Sequence, residues 1–141
     1  MTYRVVLAGA VASLAVMTAA GCGGGGDKES EGSKTACKAA AITKTGLPAA
    51  FPVPGELTFT QATKDGPTVV ADGYWTAGLD ETYNEFKDQV EQAGYTVTSD
   101  EKEDHDAEIN YKGSGRVGQI ALKDNCSESD TTRVHITNRP A

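Results

Sequence analysis

Between Gly78 and Gly94 the chain carries its one sustained helical pattern. Leu79, Tyr83, Phe86, Val90 and Ala93 fall four, three, four and three residues apart, which puts all five on one side of a helix. Asp80 and Glu81 occupy the first turn, where the helix dipole is positive. Gly94 stands just past the last apolar position, where a left-handed cap is favoured. Glu81, Glu85, Lys87, Asp88 and Gln92 line the other side, a solvated surface. A helix with one apolar stripe needs something to lie on.

The remaining patterned segments supply strands. Residues 57–62 and 68–76 are joined across Asp65-Gly66-Pro67, a turn signal. Residues 95–99, 107–112 and 117–123 follow the helix, the last two linked by Gly113-Ser114-Gly115. Residues 132–138 alternate Val134 and Ile136 with Arg133, His135 and Thr137, so one face is buried and one is wet. The expected fold is α+β, an antiparallel sheet of about five to six strands with one main amphipathic helix packed on one face. Strand order is not specified. The core is expected to contain Leu47, Phe51, Leu57, Phe59, Trp75, Phe86, Ile109, Ile120, Leu122, Val134 and Ile136. The Ala- and Lys-rich start predicts a short helix over 36–43, ended by Leu47-Pro48. Phe51-Pro52-Val53-Pro54-Gly55 then runs extended and turns into the first strand.

Ahead of this domain, Arg4 precedes an uncharged, mostly apolar run from Val5 to Met17. Its thirteen residues suit the apolar region of an export signal and fall short of the ~20 needed to span a bilayer. Small residues follow, then Cys22 and four glycines. Ala19-Ala20-Gly21-Cys22 resembles the lipobox of bacterial lipoproteins, although that family usually has Leu where this chain has Ala19. The resemblance implies a cleaved signal peptide at 1–21, acyl chains on the Cys22 thiol, and anchorage on the extracytoplasmic face of the cell membrane. Without lipid, Thr18 and Ala20 form the small-residue site of ordinary secretion. Each buried acyl CH₂ contributes ~0.8 kcal/mol, so two or more chains hold stably. Residues 22–33 then hold the lipidated cysteine and a Gly-, Ser- and charge-rich tether with a reach of roughly 18 Å. Residues 34–141 form a single domain.

Charge excludes some partners. The full chain has 13 basic and 20 acidic residues. Cleavage before Cys22 removes Arg4 alone, leaving 12 against 20, a net charge of −8. Such a surface repels nucleic acid and anionic lipid headgroups, and the sequence has no basic stripe. With Cys22 assigned to lipid by the resemblance, Cys37 and Cys126 remain. Export places them where disulfides persist, and pairing them leaves no orphan thiol. That bridge would close a loop of about 90 residues and stabilise by ~4.5 kcal/mol in the chain-entropy model.

The chemistry-bearing residues are sparse. Asp104, Asp106 and Glu108 lie in the densest acidic run and are candidate cation ligands, but the run lacks the glycine and distal Glu of a calcium loop. Clustered acids between two strands read first as a solvated hairpin loop. His105 and His135 stand apart from any zinc-ligand spacing. Ser114 lies in a turn without a nucleophile elbow. No catalytic constellation and no cofactor motif emerges. Among Tyr74, Trp75, Tyr83, Tyr95 and Tyr111, strand alternation sends Tyr74 and Trp75 to opposite faces. The candidate partner surface is therefore an aromatic, Tyr74 or Trp75, beside Arg133 and His135.

The order of parts, from the lipobox through F-P-V-P-G, G-Y-W, a helix ending A-G-Y and K-G-S-G-R, is similar to small lipoproteins of high-GC Gram-positive bacteria. The resemblance implies placement and no site residue. The expectation is a membrane-anchored, non-catalytic module that binds a protein or small-molecule ligand, with the membrane itself held through the anchor. The competing expectation is a divergent envelope enzyme or a weak divalent-cation binder.

Overall fold

The computed structural model describes residues 34–141, so the expected signal peptide, Cys22 and the tether lie outside the described residues. The elements run β1 (Thr58–Asp65), β2 (Thr68–Trp75), α1 (Leu79–Gln92), β3 (Thr96–Lys102), β4 (Asp106–Gly113), β5 (Arg116–Lys123) and β6 (Thr132–Pro140). All neighbours pair antiparallel in one sheet, in the spatial order β1-β2-β6-β5-β4-β3. After the β1–β2 hairpin, α1 carries the chain to the far edge. The meander from β3 to β6 then returns it to the side of β2. Six strands against one 14-residue helix make the domain β-rich.

The helix forms where its spacing predicts. Leu79, Tyr83, Phe86 and Val90 are buried, and α1 packs on β3, β4 and β5. Ala93 is the exception: it caps the helix and stays exposed. Thr82 takes a buried place instead, because its hydroxyl can donate back to the Gly78 carbonyl at 2.9 Å. Gly94 has φ +82°. Its N–H donates to Glu91 O and the Tyr95 N–H to Val90 O, the pair of bonds that closes a Schellman cap.

The sheet's inner face supplies Val134, Ile136, Ile120, Leu122, Ala107 and Ile109, all buried in one core with the helix's apolar residues. Trp75 meets Phe86 edge-on at 6.0 Å. Phe51, Tyr95 and Tyr111 form a second aromatic cluster, with ring centroids 5.3 to 5.9 Å apart. Leu47, Leu57 and Phe59 are partly buried against this core.

The chain ahead of β1 departs from expectation. No helix forms over 36–43. Eight residues without an apolar stripe have nothing to offset the cost of nucleation, and the segment is committed elsewhere. Thr35 bridges to Cys126 in parallel register. The Ile42 N–H donates to Phe59 O of β1 at 2.8 Å. Residues 34–46 thus form an extended strap that runs from the β5–β6 connection, at Thr35 and Cys37, to β1, at Ile42. A disulfide joins Cys37 to Cys126, whose Cα atoms lie 5.4 Å apart.

Candidate functional site

Strand alternation sorts the expected partner residues. On β2, Ala71, Gly73 and Trp75 point inward, so Asp72 and Tyr74 point out. On β6, Thr132, Val134, Ile136 and Asn138 are buried and Arg133, His135 and Thr137 face outward. Register then brings Tyr74 opposite Arg133 and Asp72 opposite His135. Tyr74, Arg133 and His135 therefore share one open face. Trp75 is 6% exposed beneath the opposite face and has no part in it.

His135 Nδ1 lies 2.7 Å from Asp72 Oδ1, a partly exposed pair. The contact orients the ring and leaves Nε2 as its remaining polar atom. Farther along the face, Gln119 donates to Glu108 at 2.9 Å and to Asn110 at 3.3 Å. Where the strap meets the face, a cleft of about 200 Å³ is lined by residues including Thr35, Cys37, Thr60, Gln61, Asp72 and Arg133. This is a polar, ridged platform with a shallow recess at one end.

The candidate cation ligands are dispersed. Most of the acidic run is strand: β3 continues to Lys102 and β4 begins at Asp106. Asp104 is left in the turn, while Asp106 and Glu108 share one side of β4. Among the described residues, the grouping of three possible ligand residues within 4.8 Å is Cys37, Cys126 and Glu128, and its two sulfurs are bonded to each other. Glu128 acts as a strap clamp. Its two carboxylate oxygens accept the N–H groups of Cys37 at 3.1 Å and Lys38 at 3.2 Å. Those bonds, the Cys37 one foremost, hold its carboxyl below the usual carboxylate range.

Two side-chain networks have no counterpart in the sequence reading. Tyr111 donates to Thr137 O at 2.8 Å and accepts from Asn138 Nδ2 at 2.8 Å. Arg116 Nε donates to Asn138 Oδ1 at 2.7 Å. Burial pushes the Tyr111 hydroxyl up to about 12. The ring fits because Gly118 lies opposite it in β5, where any Cβ would overlap Tyr111 and Thr137 O. A glycine in mid-strand was the available signal for such a close approach. The second network ties α1 to β3. Tyr83 donates to Asp100, Lys87 Nζ sits 2.8 Å from the same carboxylate, and Lys102 pairs with Asp80 at 2.5 Å. Both ammonium groups lie within 6 Å of the Tyr83 ring centroid, Lys87 at 5.7 and Lys102 at 5.6 Å. These networks hold the scaffold and leave the open face to other work.

No protein-family model matches this chain, and neither does any curated protein or any solved structure.

Proposed function

We propose that this chain is a membrane-anchored extracytoplasmic lipoprotein whose domain serves as a non-catalytic binding module. The observation that carries the placement is the Cys37–Cys126 disulfide. It is compatible with an oxidising compartment outside the cytoplasm. It also uses both cysteines of the domain, so Cys22 is the one thiol left for acylation. Anchorage by lipid fits a domain in which no described helix is long and apolar enough to cross a membrane. We class the domain as α+β because the helix forms a second layer over the sheet. The binding role rests on the open face of Tyr74, Arg133 and His135, which the helix leaves uncovered; the ligand is a protein or small molecule of the envelope.

Growth of cells expressing the full chain with an alkyne-tagged fatty acid tests the anchor. Label is expected on the wild-type protein and absent from Cys22→Ala. A wild-type protein that stays unlabelled, or a label that survives the substitution, overturns the reading.

A further inference from the structure

Two opposite charges line one recess of the open face without pairing. The cleft of about 200 Å³ has the strap as one wall, through Cys37, and β1 as the other, through Thr60 and Gln61. Asp72 of β2 and Arg133 of β6 also line it. They lie diagonally across the β2–β6 ladder, since Asp72 faces His135 and Arg133 faces Tyr74. Diagonal neighbours of this kind are roughly 7–8 Å apart, within reach of a long side chain. No ion pair joins the two among the described residues. Asp72 instead places Oδ1 2.7 Å from His135 Nδ1, and its Oδ2 has no partner among the described residues. Arg133 is exposed, its neighbours across the ladder are Tyr74 and Lys123, and neither is an acid. Its guanidinium makes no hydrogen bond or ion pair among the described residues.

The walls are fixed independently of any ligand. Cys37 is bonded to Cys126, and its N–H donates to Glu128. In β1 the register slips between Phe59 and Gln61, which leaves Thr60 as the extra residue of a bulge. A bulge bends its strand and re-aims the side chains beside it. Thr60 Oγ1 donates to Asp72 O at 3.4 Å. The Gln61 side chain is exposed at the rim with no partner among the described residues. The volume lies below the ~300–1,000 Å³ of sites for drug-sized ligands, so the occupant is small.

We propose that this cleft binds a small α-amino acid as its zwitterion, with the carboxylate on Arg133, the ammonium on Asp72 Oδ2 and the Gln61 amide at the rim. This rests on the open face as a binding surface and names the class of its ligand. A guanidinium presents paired N–H groups that match a carboxylate, and an ammonium offers only donors, which a carboxylate oxygen accepts. A simple anion meets Asp72 and a simple cation meets Arg133, so the two charges together disfavour both. A fixed wall on each side lowers the ordering cost of binding.

The test is calorimetric titration of the full mature chain in detergent micelles. The probes are glycine and alanine, with N-acetylalanine and alaninamide as forms that each lack one of the two charges. Alanine is expected to bind, and each blocked form roughly tenfold or more weakly. Arg133→Gln and Asp72→Asn should each weaken alanine by a similar factor, while Lys112→Gln on β4 leaves it unchanged. Hydrogen exchange should slow in the strap near Cys37 and at Thr60 and Gln61 when alanine binds. A blocked form that binds as well as alanine overturns the zwitterion. Absence of heat and of exchange protection with both amino acids overturns the site, and the fatty-acid label still reads the anchor separately. Protection around Tyr74 and His135 that spares the strap and β1 overturns this cleft and leaves the open face as the binding surface.

Discussion

β1 and β3 lie at opposite edges of the sheet, and each breaks its pairing with a bulge, between Phe59 and Gln61 in β1 and between Val97 and Ser99 in β3. Their outer flanks are held by different means. The strap reaches β1 through the Ile42–Phe59 bond, and its far end is fixed at the β5–β6 connection by Glu128 and the Cys37–Cys126 bridge. β3 has no strap; charged side chains tie it to the helix, Asp100 to Tyr83 and Lys87, Lys102 to Asp80. The strap buries little, since Ala36, Lys38, Ala39, Ala40 and Ala41 are all exposed. A segment that buries so little apolar surface cannot offset its own ordering entropy, and a covalent tie removes that burden. β3 follows directly from a packed helix, so weak surface pairs are enough.

Removing the bridge breaks the comparison most severely. Cys37→Ser with Cys126→Ser should lose about 4–5 kcal/mol, read as a fall in urea midpoint, with early hydrogen exchange along the strap and β1 while β3 stays protected. Gly73→Ala comes next. Its Cβ would overlap the Thr58 carbonyl where β2 faces the β1 bulge, and overpacking of that kind costs about 1–3 kcal/mol. Equal stability to wild type by urea unfolding would contradict the close approach. Tyr83→Phe probes the other edge: loss of one hydroxyl donor should cost about 0.5–1.5 kcal/mol and speed exchange in β3 alone.

The pH response is the smallest effect and separates the edges cleanly. Glu128 on the strap and Asp100 on β3 both titrate below their ordinary values, Glu128 mainly through the Cys37 N–H and Asp100 mainly through Lys87. A lowered carboxyl contributes stability above its unfolded value and loses it as pH falls through the folded one, so acid should loosen both edges. Lys87 is raised chiefly by its bond to Asp100, and Tyr83 chiefly by burial. Raised groups contribute below their unfolded values and lose the contribution as pH rises through the folded ones. Alkaline solution should therefore loosen β3 and spare the strap. Urea midpoints of wild type and Tyr83→Phe across the alkaline range would check this, with the two curves converging as pH rises.

What could be read from the sequence was periodic and local. The stripe from Leu79 to Val90, Gly94 as a left-handed cap and the Val134–Ile136 alternation each repeat a spacing that backbone geometry imposes. Tyr74 and Trp75 separated for the same reason, although alternation alone does not say which of the two meets the core. The acidic run misled because exposed edge strands need no apolar pattern; β3 is almost wholly solvent-facing and reads as loop. The Ala-rich strap looked helical because propensity ignores a partner 89 residues away. Strand order and the Arg116–Asn138–Tyr111 network depend on contacts between distant strands, which no single-chain spacing encodes.

The strap's junction at Thr35 has a mechanical consequence. Its parallel bridge and the adjacent sulfur link attach the start of the domain to the β5–β6 connection, and β5 and β6 are interior strands. A pull on the chain ahead of Thr35 is therefore delivered to the middle of the sheet, where neighbours on both sides share the strain. The outermost strand is spared from being unzipped one bond at a time.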